Sequence, residues 1–142
     1  MCIAFGPASN RWLPNLYINN MAVSWSNTLK YLGIVFMSGR HLSCNIDVIS
    51  RKFYAASNCI FYNSHNVNEL IQLQLQQAHC LPILQYGVAA VKLSTVQLSC
   101  LNACWNNVFR KIFGFHKWES VSAFIDGLGC LNFKSMWYLS VI

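Results

Sequence analysis

Apolar and polar positions follow two different rhythms along this chain. Through residue 36 they alternate over short runs broken by turn residues, the rhythm of β-structure. Cys2 to Phe5 is a short apolar run stopped by Gly6-Pro7, and residues 8–15 are loop by composition. Leu16 to Ile18 and Met21 to Trp25 read as strands around Asn19-Asn20, since asparagine tolerates positive φ in a tight turn. Leu29 to Phe36 is the most strand-like run, with Tyr31, Ile34, Val35 and Phe36 suited to a pleated surface. Gly33 weakens a strand, so a bulge or a close backbone approach is expected there. The whole reads as a small antiparallel meander.

Beyond the break at Ser38-Gly39-Arg40-His41 the spacing becomes helical. Ile46, Ile49, Phe53, Ala56 and Ile60 predict a helix over 44–61, with Ser43 as N-cap and Asp47 in the first turn. A second helix starts near Asn66, Glu69 completing a capping box, and carries Leu70, Leu73, Gln77, Cys80, Leu81 and Leu84 on one face. Gln72, Gln74 and Gln76 are expected to face elsewhere, and Pro82 must end or kink the helix near Cys80. After a connector over 87–93, Ser94 and Gln97 form a second capping box. Leu98, Leu101, Trp105, Val108 and Ile112 then step by three and four until Gly114 ends the run. A short helix over 118–125 closes at Asp126-Gly127, and 128–142 shows no clear period. The expected fold class is α+β: a β-region over 1–37, then a mainly helical bundle of three or more helices over 38–142.

Composition sharpens this outline. The chain has 142 residues, 55% hydrophobic and 10% charged, a balance that argues against disorder and for apolar surface meeting a partner. No apolar run reaches membrane-spanning length, and the N-terminus lacks the charge and apolar pattern of a signal peptide. Ten Lys and Arg against four acids leave a net charge of +6, which favours a polyanionic partner, nucleic acid first. Seven cysteines without a secretion signal suggest buried thiols in an intracellular, cytoplasmic or nuclear setting. The chain's apolar end at Ile142 reads as a truncation.

Residues suited to catalysis are sparse. Asp47, Glu69, Glu119 and Asp126 sit in separate segments, and Asp47 and Asp126 read as helix-end residues. Cys100 and Cys104 share a helix face near neither a second Cys/His pair nor a zinc-like spacing, so no metal or other cofactor is expected. What stands out is basic residues interleaved with aromatics: Arg51-Lys52-Phe53-Tyr54, Trp105 with Phe109-Arg110-Lys111, and Phe115-His116-Lys117-Trp118. Phe53, Trp105 and Phe109 suit a core better than a surface.

Several segments together resemble the C-terminal part of reverse transcriptases from non-LTR (LINE-type) retrotransposons. They are Cys2-Ile3-Ala4-Phe5-Gly6-Pro7, Lys30-Tyr31-Leu32-Gly33-Ile34, Leu81-Pro82-Ile83-Leu84-Gln85-Tyr86-Gly87, and Trp105 through Gly114. The resemblance implies that residues 1–36 match the end of the palm, with 29–36 in the primer-grip hairpin, and that 43–114 match the helical thumb. It implies Lys30, Tyr31 and Gly33 near the primer, and Arg51, Lys52, Arg110 and Lys111 as phosphate contacts. The family's chemistry needs paired aspartates holding two divalent metals, Mg2+ in the intact polymerase. This chain has no Asp-Asp. The expected function is therefore a catalytically incompetent fragment that binds RNA–DNA or DNA duplex. The alternatives are a helical module docking a protein partner through exposed apolar surface, with no membrane role, or a poorly folded relic.

Overall fold

A computed structural model describes the chain except residues 8, 10, 11, 87, 89, 90 and 142. Parts of the 8–15 loop and of the 87–93 connector thus lie outside the described residues. The fold is α+β and divides into two compact units, Met1–Asn45 and Ile46–Ile142.

The first unit holds two antiparallel sheets rather than one meander. Strands β1 (Leu16–Ile18) and β2 (Met21–Val23) pair around Asn19 and Asn20, whose φ values of 50° and 61° are those of a two-residue hairpin turn. Strands β3 (Thr28–Tyr31), β4 (Ile34–Met37) and β5 (Ser43–Cys44) form the other sheet in that order. The predicted strand over 29–36 is thus a hairpin. Its turn is Leu32-Gly33, with φ of 46° and 81°, so Gly33 earns its place by left-handed backbone rather than by a bulge. The predicted start of the first helix is also shifted. Ser43 and Cys44 pair with Met37 and Phe36 instead, and Asn45 N–H bonds the Val35 carbonyl at 2.8 Å. That pairing carries the first unit to Asn45, past the expected boundary at 37.

The N-terminal segment forms two parallel bridges, Cys2 with Trp25 and Phe5 with Gly39. The Ser38 hydroxyl donates to the Ala4 carbonyl at 2.9 Å, tying that segment to the end of β4. Among the described residues of this unit, Cys44 alone is buried.

The second unit contains the core. Its helices are α1 (Ile46–Asn63), α2 (Glu69–His79), α3 (Leu81–Gln85), α4 (Thr95–Phe113), α5 (Ser122–Gly127) and α6 (Phe133–Val141). Asn68 caps α2 through its side chain, and Cys80-Leu81-Pro82 breaks it into α3, because proline fits a helix's first turn and not its interior. Both halves of the Ser94–Gln97 capping box form at 3.2 and 3.0 Å, and Gly114 ends α4 with φ 71°. Helix α6 lies where the sequence shows no period. Asn132 caps it by accepting from Ser135 N–H, and fully buried Phe133 anchors it.

Helices α1 and α2 are antiparallel: Gln72 Nε2 reaches the Ser64 carbonyl, and Gln76 Nε2 reaches that of Ser57 at 3.2 Å. Gln76 is completely buried alongside Leu73 and Cys80, contrary to the expectation that it faces away from their stripe. Its bond to Ser57 satisfies Nε2 alone. Gln76 Oε1 is buried without a hydrogen-bond partner among the described residues, a desolvation cost that the fold bears. Leu98, Leu101, Cys104, Trp105, Val108 and Phe109 fill the core from α4, with Trp105 edge-on to Phe109 at 5.3 Å. Among the described residues no helix is long and apolar enough to cross a membrane.

Candidate functional site

The hairpin β3–β4 puts successive residues on opposite faces of its sheet. Leu29 opposite Phe36 and Tyr31 opposite Ile34 share one face; Thr28 opposite Met37 and Lys30 opposite Val35 share the other. Lys30 and Tyr31 are both exposed beside the turn, but on different faces. Tyr31, Leu29 and Phe36 join Ile3, Phe5 and Leu42 around an apolar cleft of about 220 Å3. Residues 1–45 hold Arg11, Lys30 and Arg40 and no Asp or Glu.

In the second unit three side-chain pairs climb the seam between α1 and α4. Cys104 Sγ lies 3.6 Å from Ser50 Oγ, Asn107 Nδ2 donates to Tyr54 Oη at 2.9 Å, and Lys111 Nζ donates to Asn58 Oδ1 at 2.9 Å. The numbers rise together on both helices, so α1 and α4 run parallel. Partial burial raises the Tyr54 hydroxyl's pKa, the Asn107 amide opposes that, and the Cys104 thiol adds to it. Lys111 Nζ also sits 4.2 Å from the centroid of Phe61, a cation–π contact.

The predicted cations of this unit fall into three places. Arg51 precedes Asn58 by seven residues, nearly two helical turns, so both lie on one side of α1, about 10 Å apart along the axis. Arg51 and Lys111 therefore share one flank. Lys52, about 100° further round α1, does not. Arg110 is committed elsewhere. Its Nε and Nη2 donate to the Glu119 carbonyl at 3.1 and 3.0 Å, and Nη1 donates to Asn107 Oδ1 at 2.9 Å. At the end of α4 these cations also complement the helix dipole.

Arg110 is thus the anchor of a loop that the sequence named only as an aromatic–basic run. Phe115 N–H returns to the Arg110 carbonyl at 3.0 Å, and Phe113 and Phe115 both meet Phe124 edge-on, at 4.7 and 5.0 Å. Glu119 closes the next four residues. Its N–H donates to the His116 carbonyl at 3.1 Å, and its carboxylate accepts from His116 N–H. Inside that closed turn the His116 imidazole stacks on the Trp118 indole, centroids 4.9 Å apart and planes within 3°. A glutamate three residues after His116 was the available sequence signal.

The cysteines are free thiols. Among the described residues no group of three or more His, Cys, Asp and Glu is placed to hold a metal ion. Comparison with protein-family models, with characterised proteins and with solved structures found no match for this chain.

Proposed function

We propose that this chain is a palm-end and thumb portion of a LINE-type reverse transcriptase, without the catalytic aspartates, that acts by binding a template–primer duplex inside the cell, in cytoplasm or nucleus. The observation that carries the reading is the Arg51–Lys111 flank of the second unit. Two cations on one side of parallel helices suit phosphates of one strand. Helix α4 bears no acid, and Asp47, one turn before Arg51, is the one acid of α1. The tight hairpin with Lys30, Tyr31 and Gly33 at its tip adds a second support, as does the net charge of +6. Lys52, exposed about 100° round α1 from that flank, is the weaker candidate. Arg110 serves as a positioning residue, and catalysis belongs to the intact polymerase with its Mg2+.

The test is titration of an RNA–DNA hybrid at two salt concentrations. Affinity should fall as salt rises, because phosphate contacts release counterions. Arg51→Gln and Lys111→Gln should each weaken binding and lower the salt slope by about one, with circular dichroism unchanged. No binding at low salt overturns the reading.

A protein-docking role is the second reading, and apolar exposure in the first unit favours it: Tyr17, Ile18 and Met21 stand out on the β1–β2 hairpin. Of the Leu98–Ile112 stripe that such a module would present, Leu98, Leu101, Trp105 and Val108 are core and Ile112 alone is half-buried, so the stripe does not supply the docking surface. A salt-insensitive oligomer in size-exclusion chromatography that ignores nucleic acid would favour docking.

A further inference from the structure

We propose that the His116–Trp118 stack is a landing platform for an unpaired nucleobase, with Lys117 supplying charge to the adjoining phosphate; this rests on the nucleic-acid reading above. One face of the indole is partly covered by the offset imidazole, and Trp118 is 75% exposed. The opposite face is thus open to solvent, a flat aromatic surface. A single exposed tryptophan is ordinary on a protein surface. This one is held in place from both ends.

The N-terminal side is fixed by Phe115 against Phe124 and by the left-handed Gly114 turn. The C-terminal side is fixed by Arg110, whose fork grips the Glu119 carbonyl. The Glu119 carboxylate, though exposed, accepts from the His116 backbone N–H, which closes the turn. Preorganisation removes the ordering cost that a mobile tryptophan would bring to binding. The stack itself presents Trp118 in one orientation, and every base has a π-face to lay on it. Lys117, exposed between the two rings in sequence, provides a cation within one residue of the platform. Lys111 lies one turn of α4 before the loop. The platform takes a base from a single strand or an unpaired end, since a base inside a duplex has both faces already stacked.

The experiment measures binding of an eight-nucleotide thymidine strand and of a blunt eight-base-pair duplex at low salt, using the full chain. Trp118→Ala should weaken binding of the single strand about tenfold, and Trp118→Phe should retain most of it. Duplex binding should be unchanged in both. Arg110→Ala, which frees the Glu119 end, should reproduce part of the single-strand loss. Adding the strand should quench tryptophan fluorescence in the parent and far less in Trp118→Ala. A parent that binds duplex while Trp118→Ala binds the single strand equally well overturns the platform alone. A parent that binds duplex and not the single strand does the same. A parent that binds neither overturns the duplex reading with it.

Discussion

Cys80 shows how a single residue's surroundings set its chemistry. It has no exposed surface, and burial pushes its thiol from 9.0 up to about 11, with the nearby Cys59 thiol adding in the same direction. A thiol kept neutral in the fold ionises earlier once the chain unfolds. Below pH 9 both states hold the proton and the stabilisation is complete. Between pH 9 and 11 the unfolded chain releases it while the fold retains it, so stability declines as pH rises. Cys44 is raised by burial in the same sense. Urea unfolding at pH 7, 9 and 10 should show a falling midpoint above pH 9, and Cys80→Ala should flatten part of that fall. A thiol of this kind is a poor nucleophile near neutrality, so packing is its role. Arg110 makes the complementary point. From sequence it is a cation at a helix end; in the fold three of its donors are spent on Glu119 and Asn107.

At the scale of elements, local chemistry set the ends of the helices that have strong caps. Ser94 and Gln97 satisfy one another's backbone N–H groups, and the left-handed Gly114 releases the chain toward the Trp118 loop. Ser94→Ala should cost about 1 kcal/mol of stability, read as a lower thermal midpoint by circular dichroism at 222 nm. Pro82 likewise divides α2 from α3 for a reason visible in the residue itself. The β-elements behaved differently. Leu29 to Phe36 carries no Asn-Gly or Asp-Gly signal, and only pairing of Leu29 with Phe36 and Tyr31 with Ile34 reveals the turn at Leu32-Gly33. Ser43 and Cys44 would suit a helix start, but β4 offers them backbone partners first. Helix α6 lacks a regular stripe because its burial is irregular: Phe133 packs inward, while Trp137 ties down through Nε1 to the Val88 carbonyl at 3.3 Å.

At the scale of the whole molecule, cohesion is uneven. The second unit holds the large buried side chains, Trp105, Phe53, Phe109 and Phe133 foremost, whereas the first buries only Cys44 among its described residues. Trp105→Ala should therefore cost about 3–5 kcal/mol and remove most of the helical signal at lower urea, measured as a shift in the unfolding midpoint. A midpoint that stays put would mean that the α4 stripe is not the keystone of the helical unit. The same unevenness leaves apolar side chains of the first unit exposed and its charge wholly basic, a surface suited to polyanions and to apolar partners alike.

The residues alone determined what depends on neighbours within a few positions: the helical spacing of α1, α2 and α4, the caps at Ser94 and Gly114, the break at Pro82, the Asn19-Asn20 turn, and the excess of positive charge. Tertiary structure alone decided what depends on partners far along the chain. It split the β-region into two sheets, drew Gln76 inside against Ser57, committed Arg110 to Glu119, set Arg51 and Lys111 on one flank, and laid His116 flat on Trp118. The physical reason is that caps and periodicity are written in local backbone geometry, whereas burial and side-chain partnership are settled only when separate elements compete for the same groups.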